Sequence, residues 1–542
     1  MIKFIQEDSF MITGNLKNKV DAIRQDFYNE NMAQSSDVVN QLTMLMFVKM
    51  LDDKQNAMEA QANIISVEPK QEDLTFKKGE YKNYEMINGE KTLRYSIPYE
   101  DLRWKNFKNL NPQDLSRRIR DYVVPFIMDK DNKAVGKFAE YSQEYSYGFG
   151  SKERLLASVV DKLSDDEFNF VNTDLMGDVY EYICGSGISG QFRTPRHIID
   201  MAVEMMKPKL GEKIIDPAMG TAGFLIESAK YIQDKQKTEL LNTSNKNKFN
   251  SEMFFGTDND TTMARIGYMN CILHNIKNPT ITTDSLLEHE NAKDYLGKFD
   301  LVLQNPPFSG SLIEEAISSQ LLTLTKTGKT ELLFVALMLQ LMKIGGRGMS
   351  IVPDGVLFGS SNAHVNLRKE LVDNQKLIGV VSMPQGIFSA PAKKGSASKG
   401  AGVKTSFLIF ERTNNGGTDN VWFYDMTNDG FTLDAKRTPC EGSDIQDVID
   451  TYGNLEEELK KYSKLKDKEK EAQRKNKWFF VPKTLIAENN YDLTINKYKI
   501  IEKEQINYRS TKEIFTEIES LKEEEGKIEL ELKSLLGLEE AR

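Results

Sequence analysis

At 542 residues the chain is long enough for two or three domains that each bury a core, and 39% hydrophobic with 28% charged residues excludes wholesale disorder. The longest apolar run, Leu332 to Met342, is broken by Gln340 and falls short of the roughly 18 to 20 residues that cross a bilayer. A net charge of -10 argues against a chain that grips nucleic acid alone, because phosphate neutralisation dominates that affinity; either the basic residues are clustered or a partner supplies them.

The N-terminus meets Glu7 and Asp8 before a signal-peptide core can form, so a cytoplasmic protein with no membrane association is expected. The three cysteines, Cys184, Cys271 and Cys440, are far apart and unpaired in spacing, and the four histidines show no ligand pattern. No metal is expected.

In chain order, Leu16, Val20, Ile23 and Phe27 recur at steps of three and four and predict an amphipathic helix. A second helix, capped by Ser36, carries Val39, Leu42, Met46 and Met50 and is expected to give way to a charged stretch after Leu51. Residues 63–105 read as irregular. Residues 1–165 are therefore expected to form a mainly helical domain.

In GQFRTPRHIIDMAVEMM, Thr194 and Pro195 start a helix with one apolar face. From Gly211 onward, seven β-rich runs alternate with helical stretches: 213–216, 253–257, 280–283, 299–304, 348–352, 377–382 and 405–410. That alternation predicts an α/β domain over 166–415 with a doubly wound parallel sheet, a helix near 331–343 crossing between the fourth and fifth strands. Segments 309–330 and 389–404, rich in Ser, Gly and Thr or Lys, follow strands and are expected to be mobile lids, nucleic-acid contacts or plain surface loops. A mixed region over 416–505 contains the charge-dense LKDKEKEAQRKNK, read as a solvated helix face. The tail, 506–542, places Ile514, Ile518, Leu521, Ile528, Leu532 and Leu535 on a heptad seam that should pack on another helix.

Three patterns carry chemistry. FDLVLQNPPF runs a strand into Asn305, Pro306, Pro307 and Phe308; proline restricts the residue before it, so the Asn305 side chain and the Pro306 carbonyl are aimed as two convergent acceptors. Two acceptors on one amino group draw a delocalised nitrogen, such as that of adenine, toward a nucleophilic shape, and Phe308 can stack on a base flipped from its duplex. KIIDPAMGTAGF is a strand, Asp216 at its end, and a turn with Gly220 and Gly223 that opens a helix; the glycines allow close backbone approach and Asp216 suits a cationic amino group. The turn lacks a P-loop lysine. FFGTDND ends a strand with Asp258, placed to accept ribose hydroxyls, with Asp260 as competitor; Asp284 follows the next strand and suits either an adenine amino group or a helix cap.

GQFRTPR, DPAMGTAGF, Asp258 and NPPF, in that order along the chain, resemble the gamma-class adenine methyltransferases, and most of the chain resembles the modification subunits of type I restriction-modification systems. The resemblance implies a seven-stranded Rossmann-like, S-adenosylmethionine-dependent methyltransferase sheet, with an N-terminal helical domain that helps clasp DNA and a C-terminal helical tail. It implies that Gln191, Phe192, Arg193, Thr194, Pro195 and Arg196, together with Thr221, Ala222, Gly223 and Asp258, line the cofactor, and that Asn305 to Phe308 hold the target adenine. It further implies double-stranded DNA as substrate, a separate specificity subunit bound by two modification subunits, and a motor and nuclease subunit for restriction. WFFVPKTLIAENNYDLTINKY resembles the family's stretch before its last helix, whereas Asp258 stands where Glu is common. The alternatives are a methyltransferase acting on protein glutamine and a cofactor-binding DNA scaffold without turnover.

Overall fold

The structure, a computed structural model, describes residues 14–32, 35–71, 73–132, 135, 138–141, 145–166, 168, 179, 194–288, 292–388, 402–433, 437–501 and 510–536. They belong to two units, Met1–Lys499 and Ile500–Arg542. In the first, helix Gly14–Asn29 fully buries Val20, Ile23 and Phe27, the stripe that their spacing predicts.

The second helix departs from expectation: it spans Ser35–Ile65 and runs through the charges after Leu51. Those charges are partners of a distant arginine. Asp52 accepts from Arg103 Nε at 2.7 Å and from the Lys105 backbone at 2.8 Å, and the buried Arg103 also reaches Glu59 at 2.8 Å and Asn56 at 2.7 Å. Burying charge is tolerated when every donor is matched in this way. The irregular segment in turn holds an antiparallel hairpin of β1 (Glu80–Ile87) and β2 (Glu90–Pro98), whose strands are mostly exposed and so show no apolar alternation.

All seven predicted strands form: β3 (Ile214–Asp216), β4 (Phe254–Thr257), β5 (Thr280–Thr282), β6 (Phe299–Gln304), β7 (Met342–Pro353), β8 (Lys376–Ser382) and β9 (Thr405–Glu411). Two more, β10 (Asn420–Asp425) and β11 (Trp478–Pro482), extend one edge, giving a nine-stranded sheet of order β11-β10-β8-β9-β7-β6-β3-β4-β5. Strand β9 runs antiparallel to β7 and β8, and β11 antiparallel to β10; the remaining pairs are parallel.

Successive strand residues enter opposite cores. Ile214, Leu301, Ile351, Val381 and Trp422 pack on one face with helices Arg196–Met206, Gly223–Lys235 and Thr261–Leu273. Ile215, Val302, Val352, Val380 and Phe423 pack on the other with helix Thr330–Leu341, the β6–β7 crossover. A sheet covered on both faces needs apolar residues at every strand position, which is why these strands read as continuous runs. The N-terminal helices dock on the first layer, where Lys54 Nζ donates at 2.6 Å to the Ile272 carbonyl at the end of helix Thr261–Leu273.

Segment 309–330 carries its own hydrogen bonds: Ser311 and Lys329 form a β-bridge, Leu312 N donates to the Gly328 carbonyl at 2.9 Å, and residues Ser319–Leu324 are helical. Of the other predicted lid, residues 389–401 lie outside the described residues. In the second unit, helix Thr511–Leu535 is started by a capping box in which Ser510 N donates to Glu513 at 2.8 Å. All six seam residues of that helix are exposed. No described helix is long and apolar enough to cross a membrane.

Candidate active site

Strands β3, β4 and β6 are parallel neighbours, so their carboxyl ends open on one edge. The chain leaves β3 for β4 on one side and later returns to β6 on the other, and such a reversal leaves a crevice at the strand ends. Register places the chemistry. Asp216 lies level with Gly256 on β4, and the Ile215–Val302 pairing sets it level with Leu303 on β6. Asp258 and Asn305 each lie two residues further along, flanking Asp216. Two inter-strand spacings put them about 10 Å apart.

The glycine turn closes over one flank. Gly220, at φ +50°, donates its N–H to Asp258 Oδ2 at 3.1 Å, and Asp258 Oδ1 accepts from the Asp260 N–H at 2.9 Å. Asp260 caps helix Thr261–Leu273, accepting from Thr262 and Met263. The second left-handed position is Ala222, at φ +67°, which caps helix Gly223–Lys235. Gly223 serves packing: a Cβ there would come within 2.7 Å of Ile199 on helix Arg196–Met206. Thr221 offers its carbonyl to Asn270 Nδ2 at 3.0 Å.

Burial pushes the Asp216 carboxyl up to about 8; the Ala218 N–H partly offsets this and Asp258 adds to it. Asp258 is raised to about 6, again chiefly by burial, with backbone N–H groups opposing and Asp260 reinforcing. Two carboxylates that are costly to ionise side by side make a site for a cation.

On the other flank Asn305 Nδ2 donates to Thr194 Oγ1 at 2.9 Å, which turns Oδ1 to the opposite end of the carboxamide. Thr194 is buried and Pro195 starts helix Arg196–Met206. Pro306 is buried, and Phe308 meets Phe388 edge to face, 5.4 Å between ring centroids at 88°.

The structure thus joins Thr194 to the Asn305 corner and Gly220 to Asp258, with Asp216 between them. Gln191, Phe192 and Arg193 lie outside the described residues. Asp284 is exposed in a turn after β5, bonded to Thr282, and caps no helix. Sequence reading missed Phe388 and the contact of His197 with Asp429; the one available signal for Phe388 was its place as the last aromatic before a Ser-, Lys- and Gly-rich stretch.

An acidic, glycine-turned strand edge beside a rigid amide corner on a doubly wound sheet, with antiparallel β9 inserted between β7 and β8, defines the class, an α/β methyltransferase fold. The chain belongs to the N-6 DNA methylase family, whose profile matches residues 171–507, and the HsdM N-terminal domain matches residues 16–163. It is accordingly a DNA methyltransferase acting on adenine, of the kind found as type I methylase subunits.

It is 28% identical over 450 residues to the EcoEI type I restriction enzyme methylase subunit of Escherichia coli, covering 82% of this chain and 83% of that one. With the EcoKI methylase subunit of E. coli K12 it shares 28% over 383 residues, 65% of this chain and 67% of that one. Among solved structures, a type I methyltransferase subunit from Streptococcus thermophilus superposes with TM-score 0.57 at 18% identity, covering 89% of this chain and all of that one. A chain from a study of type I restriction-modification complex assembly does so with TM-score 0.57 at 22% identity, covering 97% and 98%. At these identities the superpositions establish the fold.

Proposed function

We propose that the chain is the modification subunit of a type I restriction-modification complex, transferring a methyl group from S-adenosylmethionine to the N6 of an adenine flipped from double-stranded DNA. The observation that carries this reading is the Asn305 carboxamide, oriented by Thr194 beside buried Asp216 and half-buried Asp258. When bound, S-adenosylmethionine supplies an electrophilic methyl carbon on a sulfonium centre. The donor set fits it: Asp216 matches its cationic end, and Asp258 its ribose hydroxyls. Asp258 is favoured over Asp260 for that role because Asp260 is engaged as the helix cap, whereas Asp258 is tied to the glycine turn. Thr194 to Arg196 and Thr221 to Gly223 complete the proposed pocket, and Asp284 is assigned to the cofactor's adenine.

Asn305 Oδ1 and the Pro306 carbonyl accept hydrogen bonds from the two N–H groups of the target amino group. That interaction raises the nitrogen's nucleophilicity and aims its lone pair; Phe308, braced by Phe388, stacks on the base. If Thr194 sets the amide, Thr194→Val should cut turnover about tenfold with assembly intact, while Thr194→Ser keeps most of it, as measured by tritium transfer to unmodified genomic DNA. Equal rates for all three proteins would refute that role.

Sequence choice is assigned to a separate specificity subunit, with a motor and nuclease subunit joining for restriction. Residues 1–165 are proposed to help clasp DNA, and the exposed seam of helix Thr511–Leu535 to dock on the specificity subunit. Leu521→Glu with Leu532→Glu should abolish co-purification with that subunit and leave the unfolding temperature unchanged, because both side chains are exposed. Retained co-purification would reject the docking role. The whole proposal is tested by mapping N6-methyladenine across the host genome with and without the gene; an unchanged methylation map would overturn it.

A further inference from the structure

Residues 426–433 and 437–444 follow β10 and are tied to one another. The Asp444 carboxylate accepts from the Thr427 and Asn428 N–H groups at 2.8 and 3.1 Å, and Phe431 forms a β-bridge with Pro439. The loop buries Asp429 completely. Its Oδ2 meets His197 Nε2 at 2.9 Å, across 232 positions of sequence, and also pairs with Arg437. Phe431 packs between the partners of that carboxylate, 4.6 Å from the His197 ring and 5.6 Å from the Arg437 guanidinium. Burial alone would raise the Asp429 carboxyl, but His197 and Arg437 outweigh it and hold the group below its usual value. It is therefore a fixed anionic acceptor.

His197 lies on the first turn of helix Arg196–Met206, three residues beyond Thr194. The far end of that helix is also held, since Arg347 donates to the Met206 carbonyl at 2.9 Å, and Ile199, its fourth residue, lies against Gly223. The near end carries Thr194 to Asn305. These contacts leave the residues before Ile199 to be held by other partners, and a sub-ångström shift there would turn the Asn305 carboxamide away.

We propose that Asp429, acting through His197, is a positioning residue of the methyl-transfer site: it clamps the Thr194–His197 corner so that Thr194 holds the Asn305 amide in its working orientation. The inference rests on the function proposed above. His197 Nδ1 is buried without a hydrogen-bond partner among the described residues, so Nε2 is the one ring nitrogen that the clamp uses. A glutamine amide reaches the same place as Nε2, and leucine does not.

The test uses the assembled complex with its specificity subunit, in wild-type form and with His197→Leu, His197→Gln, Thr194→Val and the double variant His197→Leu/Thr194→Val. His197→Leu should lower kcat about tenfold, the scale of a hydrogen bond to a charged group, with His197→Gln close to wild type. The double variant should be no slower than Thr194→Val alone, because both act on one amide. Amide hydrogen exchange over residues 194–206 and 299–308 should quicken in His197→Leu and not in His197→Gln. A double variant whose losses multiply, a glutamine variant as slow as leucine, or exchange unchanged by leucine would each overturn the clamp. Failure of the underlying function shows separately, as a wild-type complex that methylates no DNA, and the exchange measurement still decides the clamp in that case.

Discussion

Asn305→Ala is expected to lower methyl transfer about 100- to 1,000-fold, the range for removing one preorganised polar group from a reacting centre, while complex assembly and S-adenosylmethionine binding stay near wild type. The substitution deletes an acceptor that matters most as positive charge develops on the target nitrogen, so the loss should fall on kcat rather than on KM. The fold should survive, since Asn305 lies at a strand end and the adjoining Gln304 keeps its bonds to Ser350 at 2.9 Å and to the Phe334 carbonyl at 3.1 Å. Asn305→Asp should lose less. It keeps an acceptor, and the Thr194 hydroxyl can reverse to donate to the new carboxylate. Single-turnover transfer with saturating cofactor reads all three proteins, and an alanine variant as fast as the parent would remove Asn305 from the chemistry.

The second large effect is on pH. Burial holds Asp258 up to about 6 and Asp216 up to about 8, so folding favours their neutral forms. The stability contributed by these protonated groups is complete below the ordinary value of 3.8 and is lost as pH rises through about 6 and then about 8. A ligand carrying positive charge reverses the preference, since it binds the ionised pair and displaces its protons. The affinity for S-adenosylmethionine should therefore rise about tenfold per pH unit on approaching the Asp216 value and flatten above it, with protons released on binding. Calorimetry in buffers of different ionisation enthalpy measures both. Asp216→Asn should bind more weakly at high pH and lose the upper part of the slope. A pH-independent affinity in the parent protein would exclude this pair as the cationic subsite.

How much of the site was legible depended on whether its parts are local in sequence. The run FDLVLQNPPF contains its own strand and its own rigid turn, and KIIDPAMGTAGF its own strand end, turn and helix start; both form those local elements. Which of Asp258 and Asp260 caps the helix and which meets Gly220 was not local. Gly223 looked like a place for a ligand to approach, yet its missing Cβ makes room for Ile199. The helix expected to end after Leu51 runs on because Asp52 meets Arg103, a partner that no window around Leu51 contains.

By itself, then, the sequence determined the doubly wound sheet, its crossover helix, the strand-to-turn segments at Asp216 and Asn305 and the C-terminal helix. Periodicity and turn chemistry act between neighbours in the chain, where composition can be read directly. The tertiary structure alone decided the hairpin of β1 and β2, the two added edge strands, the brace of Phe388 on Phe308, and the meeting of His197 with Asp429. Each of these depends on a contact or an exposure set by packing, and packing energy is realised only once the layers are assembled.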